Sequence, residues 1–196
     1  MLLFLNDDVV PVNSNWLREL VEPLDDPGIG IVGPLLLYPN GSVQHAGMFL
    51  GFERVAGHSL RGAHLPEGDC GFLASAPRQV MSVTGAALCM RRNDFEALNG
   101  FDRNRFALNI QDVDLCLRAH FSGLAVIFNP RSIFLHMESV SVRPTLDDLW
   151  AIRRRALEHD AFAERWGDVL ERDEFHNPNF CRSVESLKRL VCPGSG

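Results

Sequence analysis

Two short acidic segments of this 196-residue chain have the residue types and positions to do chemistry. Asn6-Asp7-Asp8 follows the apolar run Met1 to Leu5, so its oxygens would stand at the carboxyl end of a strand. Hard oxygen ligands there can hold Mg²⁺ or Mn²⁺ and, through the ion, a diphosphate. An ordinary solvated turn is the plain alternative. The second segment, Asn109-Ile110-Gln111-Asp112-Val113-Asp114-Leu115-Cys116-Leu117-Arg118, puts two carboxylates at a helix start, where the macrodipole favours them. Residues two apart on a helix are about 200° apart, so Asp112 and Asp114 face different ways and cannot both serve one reacting centre. Asp114 and Arg118 are four apart, the spacing of a helix ion pair. Asp112 is left as the candidate general base, against simple helix capping. His136 closes an apolar stretch and could offer a neutral imidazole to a metal, or simply be packed. His45 reads as a core histidine, and His58, His64 and Cys70 are too loosely spaced to suggest zinc.

These residues need elements to position them. Met1 to Leu5 lacks alternation and predicts a strand buried on both faces of a parallel sheet. A central strand with no preceding element predicts that Met1 is an internal start, with structure upstream. Ser14 or Asn13 would cap a helix through Trp16, Leu17, Leu20 and Val21, ended by Pro23. Ile29 to Val32 reads as a second buried strand, and the turn Pro39-Asn40-Gly41 predicts a hairpin between Leu35–Tyr38 and Ser42–Phe52. Residues 53–77 read as a long loop. Val80 to Met90 is a strand candidate broken by Thr84-Gly85-Ala86-Ala87, where small residues suggest close ligand or backbone approach. Asn93 would cap a short helix with Glu96 in the capping-box position. A helix over Ile110–Phe121, strands over Leu124–Phe128 and Ser132–His136, and an amphipathic helix from Leu146 to about Val169 with a break near Gly167 complete the pattern.

Composition narrows the function classes. Forty-six per cent apolar residues suffice for a core at this length, and a net charge of −6 leaves no broad electrostatic footprint for nucleic acid. No apolar run approaches the roughly 18 residues of a membrane helix, so the expectation is a cytoplasmic chain. Five cysteines without a C-x-x-C pair suggest reduced thiols rather than a disulfide framework or zinc ribbon.

Assembled in order, the motifs resemble the carboxyl-terminal two-thirds of a bacterial-type family 2 inverting glycosyltransferase with the GT-A fold. Leu3-Phe4-Leu5-Asn6-Asp7-Asp8-Val9 is similar to the strand carrying the family's D-x-D-type metal motif, with Asn6 first and Asp8 last. Val83-Thr84-Gly85-Ala86-Ala87 resembles the acceptor-side loop, and Arg91-Arg92-Asn93-Asp94-Phe95 with Gly100-Phe101-Asp102 the stretch after it. Gln111-Asp112-Val113-Asp114-Leu115 resembles the E-D-x-D-L motif, with Gln111 where Glu is usual, and His136-Met137-Glu138-Ser139 the closing H-x-x-S segment. Trp166-Gly167-Asp168, Asp173 and Asn177-Pro178-Asn179 resemble a tail of bacterial members.

The resemblance implies an α/β, GT-A-like mixed and mainly parallel sheet with flanking helices over residues 1–143, and a helical tail over 144–196. The two β-α units that hold the nucleotide would precede Met1. It implies Asp112 as catalytic base, Asn6, Asp7 and Asp8 on the donor diphosphate, Thr84, Gly85, Ala86 and Gln111 on the acceptor, and Asp8, Asp7 and His136 around Mg²⁺ or Mn²⁺. The implied partners are a nucleotide-diphosphate sugar and a glycan or lipid-linked acceptor, in polysaccharide biosynthesis. A lipid-linked acceptor would draw the chain to the inner face of the membrane, which Arg153-Arg154-Arg155 beside Trp150 permits. The competing expectation is a non-catalytic fragment or interaction module lacking the nucleotide pocket. A nucleotidyltransferase is disfavoured, because no glycine-rich phosphate loop is present.

Overall fold

The computed structural model describes residues 1–65, 71–137, 149–180, 182, 183 and 185. Among the described residues the strands are β1 (Leu2–Leu5), β2 (Val9–Pro11), β3 (Ile29–Leu37), β4 (Val43–His45), β5 (Met48–Leu50), β6 (Ala56–His58), β7 (Arg78–Gln79), β8 (Ala87–Met90) and β9 (Ala125–His136). The α-helices among them are α1 (Trp16–Val21), α2 (Arg92–Ala97), α3 (Gln111–Phe121) and α4 (Leu149–Leu170). Among the described residues the main sheet runs β1-β8-β3-β9-β2, with β4 beside β3 and β7 beside β9, while β5 and β6 form a separate ribbon.

The long pair β3 and β9 is the sheet's spine. It runs parallel from Ile29 opposite Ala125 to Leu37 opposite Leu135. The sheet is mixed, as expected, but its balance differs from the expected mainly parallel one. The β1–β8, β3–β8, β2–β9, β3–β4 and β7–β9 pairings are all antiparallel. Of these pairs β3–β4 is joined by a tight turn, and the others bring together segments far apart in the chain. Gly33 sits at the packed centre of β3, where a Cβ would stand 2.5 Å from the Cβ of Val83. Only glycine lets that segment lie so close to the spine.

Local expectations hold where the signal is local. The Asn40-Gly41 turn joins β3 to β4, with Leu37 opposite Val43, and Gly41 takes a φ of 81°. The helix expected from Ile110 starts one residue later, and Ile110 is its N-cap.

Several expectations are corrected. β1 is exposed on alternate residues, Leu3 and Leu5 outward, because it pairs only with β8 and packs one face. That inner face carries Phe4, whose ring meets Phe95 at 5.1 Å and Phe101 at 5.0 Å. The N-cap of α1 is Asn15 rather than Ser14 or Asn13, since the Asn13 side chain instead bonds the Arg131 carbonyl and the Ile133 amide. Arg91, not Asn93, caps α2, and the Arg91 guanidinium reaches the carbonyls of Leu24, Asp26 and Pro27. The expected strands 124–128 and 132–136 are one strand, β9, whose register shifts as it passes Pro130. Of the expected strand Val80–Met90 only β8 forms, and the expected loop 53–77 contains β6. Helix α4 passes Gly167 unbroken, because Trp166 and Val169 on either side pack against the core. The start of the expected tail at 144, with Leu146, Glu138 and Ser139, lies outside the described residues, as do Cys70, Cys181 and Cys192.

Candidate functional site

The sheet register brings the two motif ends together. β1 ends at Leu5 opposite Ala87, and the next amide, Asn6 N–H, donates to the Ala86 carbonyl at 2.9 Å. The chain then turns through Asn6-Asp7-Asp8 and re-enters the sheet at β2, where Val9 pairs with His136. Met137 N–H donates to the Asp8 carbonyl at 2.9 Å, which locks the strand ends together. Two segments more than a hundred residues apart therefore present Asp8 and His136 side by side.

His136 Nε2 lies 3.1 Å from Asp8 Oδ1, and its Nδ1 lies 2.5 Å from Gln44 Oε1. A neutral imidazole has one N–H, so it can donate to only one of these two oxygens. The other nitrogen keeps a lone pair, which a divalent cation or a Gln44 amide turned to present its NH2 would meet. One carboxylate oxygen and one oriented imidazole nitrogen fit a divalent ion of the Mn²⁺ type, and substrate phosphates commonly complete such a shell. Among the described residues no cluster of three or more His, Cys, Asp or Glu forms a complete protein cage. Asp7 sits on the exposed side of the turn.

Beside these strand ends opens a cleft of 470 Å³. Its wall includes Asn6, Thr84, Gly85, Ala86, Gln111, Asp112 and His136, so most of the sequence-derived candidates share one hollow. Asp7 and Asp8 stand just outside it. Asp112 Oδ2 accepts the Gly85 N–H at 2.7 Å, and Oδ1 accepts the Val113 N–H at 2.9 Å. A Cβ at Gly85 would meet Asp112 Cβ at 3.2 Å, so the small residue permits the close approach that the sequence suggested there. A second hollow of 260 Å³ lies across Asn109, Ile110 and Asp112 from the first and is bordered by Glu53, His58 and His159.

Asp114 has a different task, as its spacing indicated. It is fully buried, with Oδ2 at 2.8 Å from Arg118 Nε and Oδ1 accepting from Arg165 Nη1 at 2.8 Å and Trp166 Nε1 at 3.0 Å. Arg165 also reaches Asp102 at 3.1 Å, and Arg118 donates to the carbonyls of Leu98 and Gly100. This network fastens α3 to α4 and to the 98–102 loop.

Sequence reasoning did not find Gln44, Glu158 or Arg165, and it marked Trp166 only as part of the tail resemblance. Gln44 is a buried amide between Val43 and His45 in the short strand β4. His45, read as a core residue, is fully buried against His58 at 3.0 Å.

Residues 1–157 match the family model described as "Glycosyl transferase family group 2". The chain belongs to this glycosyltransferase family. Over 150 residues, 73% of this chain and 11% of the relative, it is 42% identical to "O-antigen biosynthesis protein RfbC" of Myxococcus xanthus. It is 33% identical over 183 residues, 91% of this chain, to protein y4gI of Sinorhizobium fredii, of which it covers 20%. It is 30% identical over 152 residues, 70% of this chain, to "N-acetylglucosaminyl-diphospho-decaprenol L-rhamnosyltransferase" of Mycobacterium tuberculosis, of which it covers 49%. The chain thus spans half or less of each of these curated relatives. As a family 2 glycosyltransferase domain it has the expected central sheet, flanking helices and carboxyl-terminal helix. Among the described residues no helix is long and apolar enough to cross a membrane.

Proposed function

We propose that this chain carries the metal-side and acceptor-side half of an inverting glycosyltransferase that moves a sugar from a nucleotide diphosphate to a glycan or lipid-linked acceptor. The observation that carries the reading is that Asp112, Asn6 and His136 line one cleft, with Asp8 against His136 at its edge. A base and a leaving-group site around one hollow suit a single in-line displacement, which inverts the anomeric carbon.

In this mechanism Asp112 takes the proton from the acceptor hydroxyl as the oxygen attacks. The Gly85 N–H holds one carboxylate oxygen and so fixes the direction in which the base points. Asn6 on the cleft wall, with Asp7 and Asp8 just outside it, would face the departing nucleoside diphosphate, and Thr84, Gly85, Ala86 and Gln111 the incoming acceptor. Asp8 and His136, with Asp7 nearby, would hold Mg²⁺ or Mn²⁺. When bound, such an ion supplies charge stabilisation to the departing diphosphate.

The names of the relatives favour surface-polysaccharide assembly and a diphosphate-linked lipid as acceptor. In this reading the chain would work at the inner face of the membrane. The test uses the full protein, a panel of nucleotide sugars, and free or lipid-linked glycans, with released nucleoside diphosphate as readout. Asp112→Asn should lower turnover about 10²–10⁴-fold while Mn²⁺-dependent nucleoside diphosphate binding persists. Undiminished turnover would remove Asp112 from the role of base.

A further inference from the structure

Helix α4 reaches the site from outside the motifs. The Glu158 side chain is 1% exposed, yet it lies against backbone rather than apolar side chains. Its Oε1 accepts the N–H groups of Ala107 at 2.9 Å and Leu108 at 3.0 Å, and its Oε2 accepts the Asn109 N–H at 3.0 Å. Arg154, one turn earlier, contributes Nε at 3.1 Å to Oε1 and reaches the Asn104 carbonyl at 3.3 Å. One carboxylate thus gathers three consecutive amides about fifty residues away in the chain. Burial pushes the Glu158 carboxyl up, but the three amides and Arg154 outweigh it and hold it below its ordinary value, so the group is charged.

The residue that follows these amides is Ile110, at φ 69°. A β-branched side chain in the left-handed region persists only where its surroundings over-determine it. The Ile110 carbonyl then accepts the Asp114 N–H at 2.9 Å to begin α3, and Asp112 lies two residues beyond Ile110. The strained turn therefore sets the entry angle of α3 and, with it, the line from Asp112 to Gly85.

We propose that Glu158 is a positioning residue for Asp112, holding the Ala107–Asn109 backbone so that Ile110 keeps its left-handed turn and the Asp112 carboxylate stays on the Gly85 amide. The proposal rests on the reading of Asp112 as the base. Glu158 touches no reacting atom in this scheme and acts through the backbone alone.

The Gly85 amide is the reporter, because it donates to Asp112 and not to Glu158. In ¹⁵N-labelled full chain, Glu158→Gln keeps the size of the side chain and replaces one acceptor by a donor facing an N–H. The expected result is a moved Gly85 amide resonance, together with moved resonances at 107–109. In the released-diphosphate assay kcat should fall at least tenfold while the donor KM stays within twofold. Glu158→Asp, which retains the charge on a shorter stem, should give smaller changes of the same kind. A folded Glu158→Gln chain with the Gly85 resonance in place and kcat unchanged overturns the proposal. Failure of both variants to fold overturns it too, in favour of a purely structural anchor. If Asp112→Asn retains turnover while Glu158→Gln moves Gly85, the base assignment fails and the positioning geometry stands.

Discussion

The Gly85 amide and the Asp112 carboxylate meet at 2.7 Å, across a gap of 27 residues in the chain. This contact joins the loop before β8 to the first turn of α3 and leaves little room for a side chain at position 85.

Gly85→Ala should therefore act on catalysis more than on stability. The added Cβ would stand 3.2 Å from Asp112 Cβ and 3.4 Å from Oδ2, so the carboxylate must shift by a few tenths of an ångström. A displacement of that kind at a base lowers kcat, by roughly tenfold or more. The thermal midpoint should change little, and comparing it with kcat for the same variant checks the expectation.

Asp114 should behave in the opposite way. Removing one member of a buried ion pair strands its partners, at about 3–5 kcal/mol. Asp114→Asn should sit near the low end, about 3 kcal/mol, because the Arg118 and Arg165 side chains keep partial access to water at 19% and 26% exposure. Urea denaturation measures this directly. By contrast Arg18→Gln, which breaks the exposed pair with Glu22, should leave the urea midpoint essentially unchanged.

His136→Ala and Asp8→Ala should each abolish Mn²⁺-dependent binding of a nucleoside diphosphate, while Asp7→Ala should weaken it less. Asp8 and His136 face each other, whereas Asp7 is on the exposed side of the turn. Calorimetric titration with and without EDTA distinguishes the three variants. Equal loss in all three would place Asp7 among the ligands.

Acid should destabilise the fold in two stages. Burial, with His58 and Arg78 adding repulsion, holds His45 well below its ordinary value of 6.5, and burial lowers His176 in the same direction. The unfolded chain takes up these protons first, so the stabilisation is complete above 6.5 and is lost as pH falls toward the folded-state values. Glu158, whose value lies below the ordinary 4.5, contributes stability that is complete above 4.5 and is lost further down. Urea midpoints across pH should fall from 6.5 downward, and His45→Gln should flatten the upper part of that decline.

The sequence revealed what its own spacing encodes. Asp112 and Asp114, two apart on α3, do face different environments, one the cleft and the other a buried network. Asn40-Gly41 announced its turn because positive φ demands particular residues. The apolar run of β1 misled, since Leu3 and Leu5 look outward from a strand that packs only one face, and hydrophobicity alone does not report a missing neighbour. Glu158 and Arg165 were invisible for another reason. On a charged helix a glutamate or arginine reads as a solvated face, and what singles these out is contact with backbone and carboxylates about fifty residues away.

The grip of α4 on both sides of Asp112 has a practical corollary for exchanging parts between relatives. Glu158 holds the segment just before the base, and Arg165 with Trp166 holds Asp114, two residues after it. A chimera joined between α3 and α4 would inherit every motif residue yet mismatch the parts that aim them. Grafts that carry residues 98–114 together with 154–166 as one transplantable unit should keep their aim, and grafts that divide them should not.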